Sequence, residues 1–427
     1  MTAINKDLHY DELESMAASE RQAYLDARLV KAVARAYRGA PGVREMLNQA
    51  GVRPSQIKTA SDLEKLPITR KTDLIEKQKQ NRPYGGYYIG QLDEIERVFI
   101  SPGPVYEPLH SSRIKWFARS FWAAGFCRGD VAINTFTYHL SPAGTLFGEA
   151  LRHCGATVVV AGAGNTEIHL RTMKDLGVTG FVGTPSYLMS LINKIEETGG
   201  NFKKDFKVNK AWFTGEMLSP SVRRILEQDY CVDTRQAYAV TEPGGALAYE
   251  CSQKSGLHLM DDYLIEIVDP ATGKQMLPGD VGEVVVTPLH NPHWGLLRFG
   301  TGDLSRLLMD QCACGRTAPK LAGLLGRTGE AVKVRGMFVV PKQAEAALSR
   351  IGQDGKFQII VRREGNRDVL TLKLEVKPSA GHSGEPRQGI EEAFQNACVV
   401  KLDHLELASP GSIPADAKTV VDERKWD

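Results

Sequence analysis

Apolar and polar positions change their period three times along the chain. Residues 10–80 keep a helical spacing: LESMAASERQAYLDARLVKAVARAYRGAPGVREMLNQAG predicts amphipathic helices broken at Pro41-Gly42. SDLEKLPITRKTDLIEKQ predicts two short helical pieces on either side of Pro67, with Ser61-x-x-Glu64 as a capping box. From residue 97 strands and helices alternate. RVFIS (97–101) predicts a strand running into the loop SPGPVYEP. SRIKWFARSFWAAGF predicts a helix with Trp116, Phe117 and Phe121 on its apolar, core-facing side. DVAINTF, ATVVVA, TGFVG and KAWFTG read as strands. Between and after them PAGTLFGEALRHCG, TEIHLRTMKDLG, PSYLMSLINKIEETGG and SPSVRRILEQDY read as helices.

That alternation predicts βαβ units and a largely parallel sheet covered by helices on its faces. Ligands of such sheets sit beyond the carboxyl ends of the strands. Four loops occupy that place, Ser101–Pro108, Thr135–Ser141, Gly183–Tyr187 and Gly215–Leu218, and the stretch Gln236–Cys251 joins them. After residue 251 the texture turns β-rich, predicting a small antiparallel sheet or barrel with turns at Asp269-Pro270 and Pro278-Gly279-Asp280. The last hundred residues alternate strands (FQIIVRR, DVLTLKLEV, VVKLDHLELA) with a helix at 387–397. The expected fold class is α/β. A large N-terminal domain (1–327) with doubly wound, mostly parallel sheets comprises a helical start (1–90), an α/β core (91–250) and a β-rich part (251–327). A small α+β C-terminal domain (328–427) follows.

Composition narrows the class without naming it. A chain of 427 residues exceeds one core, and 42% hydrophobic with 24% charged residues excludes general disorder. A net charge of +2 gives no footprint for nucleic acid or an acidic membrane. No apolar run spans a bilayer, and the polar start MTAINKDLHYDELESM lacks the apolar core of a signal peptide. The expectation is a soluble cytoplasmic protein, monomer or homodimer. Seven scattered cysteines give no disulfide framework.

Candidate chemistry concentrates in QAYAVTEPGGALAYEC (236–251). Tyr238 offers a ring to stack on a base, Thr241 a hydroxyl for a phosphate oxygen, and Glu242 a carboxylate for magnesium. Gly244 and Gly245 let the backbone approach a ligand. Cys251 ends the stretch. With His258 seven residues on and the knuckle Cys312-Ala-Cys314-Gly315, it forms a Cys₃His set, a composition suited to structural zinc. Cys127, Cys154, Cys231 and Cys398 read as small core residues, and His153 and His169 as surface or satisfied histidines. The glycines of AGAGNTE lack the third glycine and the acidic partner of a dinucleotide fingerprint, so Asn165 and Thr166 read as a helix cap.

The ordered set GNTE (164–167), GTPSY (183–187), FTGE (213–216), YAVTE (238–242), EC…GLH (250–258), RFGTGDL (298–304) and GRTGEAVKVRG (326–336), with the PGSIP…K tail, resembles the adenylate-forming superfamily. GNTE, GTPSY and EC…CxCG narrow the resemblance to its phenylacetate–CoA ligase branch. It implies ATP-dependent activation of a carboxylic acid as acyl-AMP, then transfer to coenzyme A. Magnesium, coenzyme A and structural zinc are the implied cofactors, and the C-terminal domain is implied to be mobile. Tyr238 would pack on adenine, with Thr214, Gly215 and Glu216 lining the purine. Thr241 would touch the α-phosphate, Glu242 would hold magnesium, Asp303 would take the ribose hydroxyls, and Arg327 would assist at ribose or phosphate. Glu330 stands at the hinge position. Lys418 stands near the adenylation lysine, although this chain reads Ala-Asp-Ala-Lys where the family has Gly-Lys. Phe136, Tyr138, His139 and Tyr187 would border an acyl pocket, their aromatic character favouring an aryl or arylacetic acid.

The chain departs from the family at Ser101–Pro108. A flexible Ser/Thr/Gly loop is expected over the β- and γ-phosphates, whereas SPGPVYEP has three prolines without amide hydrogens and a negative Glu107. Three readings stay open at this point: magnesium and cations such as Arg113 or Lys115 compensate, a preformed adenylate or different nucleotide binds, or the first half-reaction is lost. A non-CoA acceptor (an amine, a hydroxyl or a deazaflavin-type cofactor) and a nucleotide-binding protein without ATP turnover are the alternatives in function.

Overall fold

The computed structural model describes residues 9–101, 103–109, 114–289, 291–328, 332–335, 337–339, 341–376, 385–398 and 400–424. Arg113 and Glu330 lie outside the described residues, as do the side chain of Lys115 and parts of 334–341. The chain separates into two compact units, Met1–Leu218 with Arg223–Gly326, and Ser219–Val222 with Arg327–Asp427.

The first unit opens with helices α1 (Ala18–Gly39), α2 (Pro41–Gln49) and α3 (Lys71–Gln80). Pro41 begins α2 at its first turn, where a missing amide hydrogen costs no helical bond. The stripe Leu29, Val33, Ala36, Val43 and Leu47 is buried and packs into one cluster with Trp294, Leu296 and Leu297. Residues 97–109, expected as a strand and a loop, form instead a hairpin of β1 (Arg97–Ser101) and β2 (Val105–Leu109). Phe99 and Leu109 go into the core and Glu107 is buried opposite Phe99. The prolines do not prevent it: Pro104 falls in the turn and Pro108 in an edge position that needs no second partner strand.

Helix α4 (Ile114–Ala123) follows, then β3 (Val131–Asn134), α5 (Pro142–His153), β4 (Thr157–Val160), α6 (Thr166–Asp175), β5 (Gly180–Gly183), α7 (Pro185–Glu197), β6 (Lys210–Phe213) and β7 (Asp233–Val240). The five strands are parallel in the order β4-β3-β5-β6-β7. Phe117 and Phe121 of α4, Phe147 of α5 and Trp212 of β6 form the aromatic centre of the core, with Phe121 and Trp212 rings 4.4 Å apart. Because β4 and β5 flank β3, the strand order reverses there, the kind of place beyond whose carboxyl ends such sheets bind ligands.

The chain then runs β8 (Gly245–Glu250), β9 (Leu257–Leu259), β10 (Tyr263–Val268), β11 (Gly282–Pro288), β12 (Phe299–Ser305), β13 (Leu307–Leu308) and β14 (Lys320–Leu321). The expected separate β-rich part is divided. Strands β8, β9, β14 and β13 extend the main sheet antiparallel from β7, giving a mixed sheet, while β10, β11 and β12 pair in a second antiparallel sheet.

The second unit pairs Phe357–Glu364 with Arg367–Glu375 antiparallel and adds His404–Ala408 and Val420–Asp422 in parallel at the two edges. Helices Pro341–Arg350 and Glu385–Cys398 contribute Leu348, Ile390 and Phe394 to its buried cluster. Among the described residues no helix is long and apolar enough to cross a membrane. Cys154 and Cys398 are buried as expected, but Cys127 is half-buried and Cys231 is exposed. Cys231 lies in the tight passage into β7, where φ is +58°, so the turn rather than the core sets its place.

Candidate nucleotide site and metal cluster

The loops after β3, β5 and β6 meet at Gly215. Its φ of +88° is the left-handed region that favours glycine, and a Cβ there would stand 3.7 Å from Thr184 and 3.8 Å from the Phe136 ring. Thr135 ties two of the strands together, since its amide and hydroxyl both donate to the Val182 carbonyl at 2.9 Å. Thr214 is buried beside it at the end of β6, with Glu216 half-buried.

At the end of β7 the ladder to β8 is irregular between Tyr238 and Ala239. The Tyr238 hydroxyl, from the main sheet, donates to Asp303 Oδ2 of β12 at 2.8 Å. One hydrogen bond thus fastens the two sheets and fixes one carboxylate oxygen of Asp303. Thr241 and Glu242 form the turn into β8. Gly245 must be glycine, because a Cβ there would lie 2.0 Å from the Phe117 ring. Glu242 is 4% exposed; Thr241 Oγ1 donates to its Oε2 at 3.3 Å, and Lys71 Nζ stands 2.6 Å from its Oε1. Burial, the largest influence, pushes the Glu242 carboxyl up, but the charge and hydrogen bond of Lys71 together with hydrogen bonds from its own amide and from Thr241 outweigh it, so the net shift is downward and the carboxylate stays charged. Sequence reasoning missed Lys71. It reads as an ordinary residue at the start of a helix, and nothing near it in the chain announces Glu242.

The aromatic candidates fall into two groups. Phe136 packs edge-on against Phe147 at 5.2 Å. Tyr138 lies in a notch made by Gly144 and Gly148, where added Cβ atoms would stand 2.8 and 3.0 Å from it. Asn134, fully buried, donates to its hydroxyl at 2.9 Å. Tyr187, in the first turn of α7, shares a 2.7 Å hydrogen bond with Nδ1 of buried His169, whose basicity is lowered by desolvation. The 162–164 loop lies between the groups, with Gly162 3.9 Å from the Tyr138 ring by the same measure and the Gly164 carbonyl accepting from Tyr187 at 3.4 Å. Asn165 caps α6 by accepting from Ile168 N at 3.2 Å. His139 is exposed, and among the described residues no hydrogen bond ties its ring to either group; its amide donates to the Thr137 hydroxyl.

Ligand atoms of Cys251, His258, Cys312 and Cys314 all lie within 4.8 Å of one another. The pairing of β9 with β14, which sets His258 opposite Lys320, brings the knuckle over the end of β8. Cys251 and Cys312 sulfurs are 3.6 Å apart, and Cys314 Sγ is 3.5 Å from His258 Nε2. A tetrahedral ion at ~2.3 Å from sulfur and ~2.05 Å from nitrogen requires separations of ~3.8 and ~3.6 Å, which these two pairs match. His258 Nδ1 faces the Ala318 carbonyl at 3.3 Å, which fixes the tautomer that leaves Nε2 free to ligate. The knuckle also seats the start of the chain: buried Glu14 accepts from Arg316 Nε at 2.5 Å and from the Tyr249 hydroxyl, and its carbonyl accepts from Thr317 N at 3.0 Å. Glu14 and Arg316 carried no signal in the sequence beyond their charge.

In the second unit, Arg327 lies in the short strand Gly326–Arg327, and Lys418 is exposed with its carbonyl accepting from Gln358 Nε2 at 2.9 Å.

Loops at the carboxyl ends of a largely parallel sheet, with hydroxyls after β3, β5 and β6 and a buried carboxylate and a tyrosine–aspartate pair at β7, lie where such sheets bind their ligands. The family model for AMP-binding enzymes matches residues 115–289, and that for the AMP-binding enzyme C-terminal domain matches 336–424. The chain is 32% identical over 381 residues to the phenylacetate-coenzyme A ligase of Thermus thermophilus, covering 86% of this chain and 84% of the relative. It is 28% identical over 382 residues to the phenylacetate-coenzyme A ligase of Escherichia coli (87% and 86%). Among solved structures, 2-hydroxyisobutyryl-CoA ligase in complex with 2-HIB-AMP and CoA, in the thioesterification state, aligns with a TM-score of 0.90 and 27% identity, over 97% of this chain and 92% of that one. The protein belongs to the adenylate-forming AMP-binding enzymes, in their phenylacetate–CoA ligase branch.

Proposed function

We propose that this protein is an AMP-forming acid–coenzyme A ligase. A carboxylate oxygen attacks the α-phosphorus of ATP and pyrophosphate leaves. The thiol of coenzyme A then attacks the acyl carbon of the acyl-AMP and AMP leaves. The observation that carries the reading is the Tyr238–Asp303 bond at the carboxyl ends of the strands, within a chain related over most of its length to acid–CoA ligases. Tyr238 offers its ring to adenine, with Thr214, Gly215 and Glu216 along the purine edge. Asp303, held by Tyr238, accepts two ribose hydroxyls, as an ionised carboxylate is suited to do. Thr241 turns its hydroxyl from Glu242 to the α-phosphate when nucleotide binds. Arg327 assists at ribose or phosphate.

Glu242 is the residue for magnesium, which offsets phosphate charge when bound. Its anionic, buried carboxylate fits that role. Lys418 supports the adenylation step by neutralising charge as pyrophosphate departs. Residues 328–427 form the lid that carries it, with Glu330 as hinge. Cys251, His258, Cys312 and Cys314 hold structural zinc, with no open position for chemistry. The acid is aryl or arylacetic, bordered by Phe136, Tyr138 and Tyr187, and the protein works in the cytoplasm. Trapping with hydroxylamine in place of coenzyme A tests the first half-reaction: an acid-dependent hydroxamate is expected. Its absence with a panel of aryl, arylacetic and short aliphatic acids would count against adenylation.

A further inference from the structure

Glu242 has a cation already. Lys71 is brought to it by a firmly seated segment. Thr69 bridges Phe299 in parallel, donating to the Arg298 carbonyl at 2.8 Å and accepting from Gly300 N at 3.0 Å. Arg70 is paired with the fully buried Glu283 of β11. Further along α3, the Gln78 side chain both donates to the Tyr106 carbonyl at 3.0 Å and accepts from the Tyr106 amide at 2.9 Å, fastening the helix to β2. The Lys71 ammonium therefore reaches Glu242 from a backbone held on three sides, and its side chain is 24% exposed against 4% for Glu242.

The two carboxylate oxygens are divided: Oε2 takes the Thr241 hydroxyl and Oε1 takes the ammonium at 2.6 Å. A divalent ion on Oε1, at the ~2.1 Å that magnesium requires, would crowd the ammonium within a few ångströms in a water-poor place. A dication and a lysine against one carboxylate leave excess positive charge that burial makes costly. The excess disappears only when phosphate charge enters with the metal.

We propose that Lys71 is a built-in counter-cation of Glu242 that excludes free divalent metal, so that the metal reaches Glu242 only together with nucleotide phosphates. Glu242 returns to Lys71 when pyrophosphate leaves. This rests on the reading of Glu242 as the magnesium residue of an ATP-using ligase.

The test uses the full-length protein without nucleotide and Mn²⁺ as the probe, its free signal read by electron paramagnetic resonance. K71M, similar in length and uncharged, is expected to bind one Mn²⁺ at least ~10-fold more tightly than the wild type. The gain should vanish in K71M/E242Q, and K71R should stay at the wild-type level because it keeps the charge. K71Q is the second variant should K71M melt at a much lower temperature. Equal Mn²⁺ affinity in the wild type and in either folded uncharged variant overturns the proposal, and so does a gain that survives E242Q. Calorimetry with AMP on the wild type separates the two readings. If AMP does not bind, the nucleotide site itself is wrong. If AMP binds and Mn²⁺ affinity is unchanged in the variants, only the role of Lys71 is wrong.

Discussion

Replacing Tyr238 by phenylalanine isolates one contact of the site. The ring stays, so stacking on adenine and packing in the core are kept; only the hydroxyl that donates to Asp303 Oδ2 at 2.8 Å is lost. Both residues are buried, at 4% and 9% exposure, so bulk water is poorly placed to replace the donor. A hydrogen bond to a charged acceptor contributes ~1.5–3 kcal/mol net. If the bond orients Asp303 for the ribose, that range translates into ~10- to ~150-fold weaker AMP binding. The lower end is expected, because the Thr301 hydroxyl still accepts from the Asp303 amide at 3.1 Å and holds the backbone. Calorimetric titration of AMP into wild type, Y238F, D303A and the double variant measures the coupling. Y238F should lose about tenfold, and little further once Asp303 is gone. Additive losses, or a Y238F protein that binds AMP within about twofold of wild type, would refute the claim that Tyr238 acts through Asp303.

Purified protein never exposed to chelator should carry about one equivalent of zinc, and C314S or H258A should lose it and melt several degrees lower; under about half an equivalent counts against the cluster as a metal site. K418A should slow adenylation by ~10²-fold or more while using supplied acyl-AMP and coenzyme A nearly as well as wild type; equal loss in both steps contradicts its role. Asp262 gives a pH signature: burial pushes its carboxyl up to about 6 against the pull of Arg119 at 3.3 Å. The folded state holds that proton more tightly than the unfolded chain, whose carboxyl titrates near ~3.9, so this contribution to stability is present at low pH and lost as pH rises through about 6. The melting-temperature advantage of wild type over D262N should therefore shrink from pH 4 to pH 6.5 and stay level above it; an advantage that grows over that range would reverse the assignment.

The parallel half of the main sheet was legible because each element keeps its own period, from the run at β3 to the capped helix α7, and because glycines and prolines mark the ends. The loops at the carboxyl ends of β5, β6 and β7 were legible for the same reason. Residues 97–109 were not. Three prolines in SPGPVYEP suggest irregular chain, yet an edge hairpin tolerates Pro104 and Pro108, and the burial of Phe99, Val105 and Leu109 decides the outcome. The four metal-type residues were legible by kind, but what assembles them is the β9–β14 pairing, which spacing alone does not disclose. Lys71 against Glu242 and Glu14 against Arg316 were out of reach altogether. A buried ion pair between distant segments leaves no local pattern, since each partner alone looks like a solvated charge.

The first half-reaction joins a carboxylic acid to AMP with loss of pyrophosphate from ATP. Exchange of labelled pyrophosphate into ATP, in the presence of magnesium and without coenzyme A, measures that reaction in isolation. Exchange is expected to depend on an aryl or arylacetic acid and to be lost in E242Q and K418A. A metal-replete, folded protein that binds AMP yet shows no exchange with any acid of a broad panel would contradict it.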